Sequence, residues 1–257
     1  METLCGITVV FNGCNNFLFD CYKPVKSLGL KTALLSLLHL SDPTLPIGGY
    51  AHSAGLETYV QQGKVKDVVT AKAFITEMLS RNLLYTDAAF VSLAFDAAAK
   101  NKVGYLLQLD EECTAVKLPS EIRHASQKLG IRLIKIFQPL CNNELADAYR
   151  ILVEKKETPG NYCIAFGMYA YTLGLSKNDA LTGFFYNAAA GFVTNCVKLI
   201  PLGQQDGQEI LFPLFPLLQQ LAEQSMQPNK NLIGHCCTGF DIRCMQHEQL
   251  YSRLYMS

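Results

Sequence analysis

The sequence has no tryptophan and no excess of charge of either sign. Its 257 residues include 22 Lys plus Arg and 22 Asp plus Glu, which gives a formal net charge of +0. No global field attracts nucleic acid or an anionic membrane, so we expect neither as a partner. Only 17% of the residues are charged and 49% are hydrophobic. This composition is globular, and it leaves an apolar surface suited to burial in an oligomer or a complex.

The ten cysteines do not form a recognisable framework. No CxxC pair occurs, and only Cys236 and Cys237 are adjacent. No lysine or arginine precedes Lys23, so a signal peptide would lack its cationic end. We therefore expect a cytoplasmic protein with reduced thiols.

Sequence signatures of cofactor, nucleotide and metal binding are also missing. There is no P-loop, GxGxxG, HExxH or calcium-loop pattern. His235, Cys236, Cys237, Cys244 and His247 lie close together in the sequence, but their spacing matches no zinc site. We expect no resident metal and no cofactor.

Apolar residues recur at intervals of three and four from Lys31 onward, which predicts an all-α protein. Two uncharged runs, 158–176 and 180–197, contain interior polar residues and are separated by only three residues. Buried helices fit these runs better than membrane spans. About ten helices should form a single compact bundle over residues 31–257. The predicted helices span 32–39, 53–62, 67–81, 83–100, 103–113, 120–137, 143–155, 161–174, 177–199 and 207–226.

Residues 1–30 differ from the rest of the chain. The β-branched run at 6–11 precedes Asn12-Gly13, a hairpin turn signal. An isolated hairpin is marginal in water, so we expect an irregular, poorly ordered N-terminal extension or a weak hairpin.

The segment from Ser41 to Glu57 is dense in prolines and glycines, which predicts a shaped loop. It serves either as a rigid connection between helices or as a surface that presents Tyr50 and His52 to a partner. Residues 51–55, AHSAG, miss the nucleophile-elbow pattern GxSxG by one glycine. The alternative function is therefore a serine hydrolase that uses Ser53, although that motif requires a preceding strand.

Three other stretches have the composition of contact surfaces. One face of the helix at 120–137 carries four basic residues, which are either solvated or a dock for an acidic partner. The helix at 177–199 has small residues beside large aromatic ones, which predicts a homodimer interface. The tail at 229–257 ends in an apolar, aromatic segment; we expect it to be loosely held until a partner binds. The basic residues are His124, Lys128, Arg132 and Lys135, and the dimer residues are Gly183, Tyr186, Ala190 and Phe192.

Four segments together resemble the UreF family of urease accessory proteins, and most closely the form found in gastric helicobacters. They are Leu45–Tyr50 continuing through His52, Ser53 and Gly55–Glu57; Lys128–Gly130 with Arg132; Val197–Gln204 with Gly207 and Gln208; and Asp241–Ile242 through Met245–Glu248 to Tyr251–Arg253. The resemblance extends from about Lys31 to Ser257.

The resemblance implies an all-helical homodimer that performs no chemistry itself. Members of this family act as scaffolds that join a UreD-type protein, also called UreH, to the GTPase UreG and help to deliver nickel to apo-urease. Nickel is then cargo of the complex. The partner-binding residues implied are Pro46, Ile47, Gly48, Gly49, Tyr50, His52, Glu57, Lys198, Tyr251, Ser252, Arg253 and Leu254.

Overall fold

In the computed structural model, residues 30–235 and 237–256 are described, and within these ranges the chain has helices and no strand. The all-α prediction is confirmed, whereas the N-terminal extension at 1–30 lies outside the described residues except for Leu30. The helices are α1 Leu30–Leu40, α2 Leu56–Gln61, α3 Val68–Glu77, α4 Asp87–Ala99, α5 Val103–Val116, α6 Ser120–Phe137, α7 Glu144–Glu154, α8 Tyr162–Thr172, α9 Lys177–Leu199, α10 Gln204–Leu211, α11 Phe215–Ser225 and α12 Thr238–His247.

The longest helix, α9, begins and ends where the sequence predicts. Ser176 caps it, because the Ser176 side chain accepts a hydrogen bond from the Asp179 amide at 3.1 Å. Pro201 follows the last turn. The apolar face of α9 is buried in a continuous core that α4 and α8 share.

The apolar run that becomes α8 is buried inside the bundle. This helix packs against α4 and α6, and Gly167 allows its backbone to approach Val91 and Phe95 closely. In the described ranges, no helix has both the length and the apolar character needed to cross a membrane.

The prediction of one helix over 207–226 is wrong. A short 3-10 turn, Phe212–Leu214, separates α10 from α11. Pro213 and Pro216 explain the interruption, since each lacks the amide hydrogen that continues a helical ladder. A π-helical segment, Met78–Leu83, also follows α3.

A buried carboxylate fixes the connection between α7 and α8. Asp110 of α5 is fully buried, and five donors converge on its two oxygen atoms. These donors are Tyr149 Oη at 2.9 Å, Thr158 Oγ1 at 2.7 Å, the Gly160 amide at 2.7 Å, and the Asn161 amide and Nδ2 at 2.8 Å each.

Helix α6 crosses the same connection at Gly130. A Cβ atom at this position would lie 2.7 Å from the amide nitrogen of Tyr162, so no larger residue fits without movement of the backbone. The close crossing positions α6, and with it the basic residues on its outer face.

Candidate partner-binding surface

The loop between α1 and α2 takes its shape from a contact with α6. Arg132 Nη1 donates a hydrogen bond to the Ile47 carbonyl oxygen at 3.0 Å. The same guanidinium group fills the space that a Cβ atom would need at Gly48, whose φ of 88° lies in the left-handed region. Glycine is therefore favoured at position 48 for two reasons: it adopts the left-handed conformation without strain, and it leaves room for the Arg132 side chain.

Tyr50 projects from this loop into solvent. It lies in the 3-10 turn Gly49–Ala51, and 69% of its surface is exposed. The neighbouring His52 is half-buried. Burial and the positive charges of Lys128 and Arg132 together lower the pKa of His52. The loop therefore lies in a positive field that originates on α6.

Glu57, in the first turn of α2, is buried and binds the end of the chain. Its Oε1 atom accepts a hydrogen bond from the Leu254 amide at 2.8 Å, and its Oε2 atom accepts one from the Tyr255 amide at 3.1 Å. A third contact comes from α12, since His247 Nε2 lies 3.2 Å from the same Oε2 atom. One buried carboxylate thus holds both α12 and the tail.

A second carboxylate, Glu121 of α6, completes the arrangement. Its two oxygen atoms lie 2.7 Å from His247 Nδ1 and 2.7 Å from Arg253 Nη1. His247 is fully buried, and its two ring nitrogens face the two carboxylates. We call Glu57, Glu121, His247 and Arg253 the tail clamp.

The end of the described chain returns to the Tyr50 loop. The Met256 amide donates a hydrogen bond to the Ala51 carbonyl oxygen at 2.9 Å. The Ser252 carbonyl oxygen accepts one from Gln61 Nε2 at 3.2 Å. Loop and tail therefore form one continuous surface. Its exposed large side chains are Tyr50, Tyr251, Leu254 and Met256.

The tail, which we expect to be loosely held in the free chain, is packed against the bundle in the structure; its mobility before a partner binds stays a prediction. Residues 238–247 form α12, and Cys244, His247 and Tyr255 are buried against the rest of the protein. The tail clamp explains this packing, because the carboxylates of Glu57 and Glu121 contact the tail and α12. The sequence around each glutamate gives no indication of these contacts.

Comparison with known proteins shows the family of the chain. A profile of the UreF family matches residues 65–215, more than half of the chain. The chain belongs to the UreF family. It is 50% identical to the urease accessory protein UreF of Actinobacillus pleuropneumoniae serotype 3 over 222 residues, which cover 86% of this chain and 98% of that protein.

Two further relatives extend the comparison. The UreF protein of Haemophilus influenzae strain Rd is 48% identical over 226 residues, covering 88% of this chain and 96% of the relative. That of Bacillus sp. strain TB-90 is 34% identical over 224 residues, covering 87% and 99%. The closer likeness to the form from gastric helicobacters stays a prediction.

The partner-binding residues implied by the UreF resemblance differ in exposure. Ile47, Gly48 and Glu57 are buried, and His52 is half-buried. Glu57 contributes to the surface indirectly, because its carboxylate binds the Leu254 and Tyr255 amides of the tail. Lys198 is exposed in the last turn of α9, one turn beyond Asn195, whose Nδ2 donates to the His52 carbonyl oxygen at 2.9 Å. The exposed members are Pro46, Gly49, Tyr50, Lys198, Tyr251, Ser252, Arg253 and Leu254.

The residues expected at a homodimer interface are largely covered by the chain itself. A Cβ atom at Gly183 would lie 2.7 Å from Leu37 of α1, so the close approach here is intramolecular. Ala190 is buried, and Phe192 packs edge-on against Phe74 at 6.0 Å. Only Tyr186 among the four is exposed.

The structure does not support the serine-hydrolase alternative. Ser53 is fully buried, and its Oγ atom accepts a hydrogen bond from the Glu57 amide at 3.5 Å. A 3-10 turn precedes it where a nucleophile elbow requires a strand.

Among the residues that the structure describes, the C-terminal histidines and cysteines do not assemble into a metal centre. Within the described ranges, no group of three or more His, Cys, Asp or Glu residues could hold a metal ion. His235 instead stacks edge-on with Tyr85 at 6.0 Å, while Cys244 is buried. Cys236 lies outside the described residues.

Sequence reasoning missed the structural use of Glu121 and a cavity beneath the loop. The cavity has a volume of about 280 Å³ and runs between α6, α9 and the start of the tail. Its wall includes the buried ion pair of Lys117 and Asp87, with a separation of 2.8 Å. The signal available in the sequence for the ion pair was that Lys117 and Asp87 are each the one charged residue of an apolar stretch, 113–120 and 82–95, which is weak without the fold.

Proposed function

We propose that this UreF-family protein is a non-catalytic urease maturation factor. It acts as a scaffold that joins a UreD/UreH-type protein to the GTPase UreG, modulates that GTPase, and helps to deliver nickel to apo-urease. Nickel is cargo of the complex and not a cofactor of this chain. The proposed setting is the cytoplasm, with neither nucleic acid nor membrane as a partner.

The single observation that supports this proposal is the union of the Tyr50 loop and the tail in one surface. The tail clamp uses the carboxylates of Glu57 and Glu121 to hold residues 253–255, and the Met256 amide binds the Ala51 carbonyl oxygen of the loop. Exposed tyrosine and arginine side chains on a rigid support are characteristic of binding hot spots. Glu57 accepts from two backbone amides of the tail and Glu121 contacts the side chains of His247 and Arg253, which favours a structural role for both carboxylates over acid–base chemistry.

Reconstituted urease maturation tests the proposal. Apo-urease, nickel, GTP, UreG and the UreD/UreH-type protein should give active urease only when this chain is added. Equal activation without it would refute the scaffold function, and activation by this chain with nickel alone would remove the need for the proposed partners.

Tyr50→Ala should weaken binding of UreG by roughly tenfold or more, because an exposed aromatic residue on a fixed loop is a typical hot spot. The free energy of unfolding should change by less than about 0.5 kcal/mol, since the side chain is largely exposed. Titration calorimetry and urea unfolding measure the two effects. Val69→Ala, another exposed apolar position, is the control. A large loss of stability in Tyr50→Ala would instead identify Tyr50 as a structural residue.

A homodimer is the expected oligomeric state at tens of micromolar, with α9 contributing to the interface through Tyr186. The exposed aromatic side chains of Tyr186, Phe212 and Phe215 form a connected cluster, with ring centroids 6.2 and 5.2 Å apart. Covering this cluster would remove apolar area from water. Sedimentation should show that Tyr186→Arg shifts the protein towards monomer. A monomeric wild-type chain would end this prediction.

A further inference from the structure

A row of basic residues borders the Tyr50 loop. His124, Lys128, Arg132 and Lys135 are all exposed on one face of α6. Their steps of four, four and three residues span roughly 16 Å of helix. Within the described part of the chain, none of the four forms an ion pair with a carboxylate.

Two observations connect this row to the loop. Arg132 donates directly to the Ile47 carbonyl oxygen. Lys128 and Arg132 are also close enough to His52 to contribute, after burial, to the lowering of its pKa, and the opposing influence of Glu121 is smaller. The neutral form of His52 is thereby favoured, so lysine and arginine dominate the positive field beside Tyr50.

We infer that the Tyr50 loop and the basic row of α6 form one docking surface for an acidic protein face. The inference rests on the proposed function, and it adds that the GTPase presents carboxylates opposite Lys128 and Lys135. An exposed aromatic anchor flanked by cations is a composition typical of protein interfaces. A nucleic acid or membrane surface is disfavoured because the chain has a net charge of +0 and therefore no long-range attraction to polyanions.

Charge reversal tests the docking surface. Lys128→Glu combined with Lys135→Glu should weaken binding of purified UreG by roughly tenfold or more, mainly through slower association, and should reduce the salt dependence of binding. Arg132 is left unchanged because it holds the loop. Lys100→Glu combined with Lys102→Glu is the matched control, because both lysines are exposed between α4 and α5 and the change in net charge is the same.

The outcomes separate this inference from the proposed function. If the wild-type protein binds UreG, and the α6 double variant and the control double variant bind it with equal affinities, the inference is overturned and the proposed scaffold function is unaffected. No wild-type binding to UreG would overturn both. Restoration of binding by an acidic-to-lysine reversal in UreG would support the acidic face. A further outcome is that the wild-type protein binds duplex RNA or phosphatidylglycerol vesicles and that the α6 double variant loses this binding. That result would assign the surface to another class of partner and overturn the inference.

Discussion

Asp110→Asn should lower the free energy of unfolding by about 3–5 kcal/mol, the range typical of a broken buried ionic or hydrogen-bonded site. The carboxylate of Asp110 accepts five hydrogen bonds in the interior. An amide keeps one acceptor oxygen but places an NH₂ group against donors from the α7–α8 connection. Some of those buried donors then lose their acceptor, which costs about 1–3 kcal/mol each.

Tyr149 cannot adapt by giving up its proton. Burial and, in the wild-type protein, the neighbouring Asp110 carboxylate hold the pKa of Tyr149 well above its usual range. Burial is the larger cause and persists in the variant, so Tyr149 remains a donor. Urea unfolding followed by circular dichroism measures the loss. Glu111→Gln is the matched control, since it makes the same chemical change at the next, exposed position of α5. Equal unfolding midpoints for the two variants would show that the five hydrogen bonds contribute no net stability.

Glu57→Ala should release the tail while leaving most of the bundle folded. The substitution removes the acceptors of the Leu254 and Tyr255 amides and one of the two carboxylates that face His247. We expect a local cost of about 2–3 kcal/mol, so amide exchange at 254–256 should accelerate by roughly thirtyfold to more than a hundredfold.

Hydrogen exchange with mass spectrometry measures this release. Glu248→Gln is the control, because Glu248 is an exposed acid just after α12. Unchanged protection of residues 250–256 in Glu57→Ala would contradict the tail clamp. Under the proposed function, the same variant should also lose affinity for the UreD/UreH-type protein, because its binding surface is no longer preorganised.

Local patterns predicted most of the helices. The three- and four-residue periodicity, together with Ser176 before and Pro201 after, was sufficient to define α9. The prolines at 213 and 216 were visible as well, but periodicity alone continued through them and gave one helix in place of α10 and α11.

Long-range contacts could not be predicted from the sequence. Glu57 and Leu254 are 197 residues apart, and neither local segment indicates that this carboxylate binds the tail amides. The helix break before the tail and its two glycines predict a loosely held segment whose apolar residues are covered by a partner, whereas in the structure contacts within the same chain cover part of it. Gly183 illustrates the same difficulty: a small residue predicts a close helix contact but cannot tell α1 of the same chain from a second copy.

Size-exclusion chromatography with light scattering, applied to this chain, a UreD/UreH-type protein and UreG at roughly ten micromolar each, tests the central claim most directly. The account predicts a single complex that contains all three proteins. It also predicts that the two partners form no complex with each other when this chain is omitted. Separate elution of the three proteins, or an equally stable complex of the two partners alone, would contradict it.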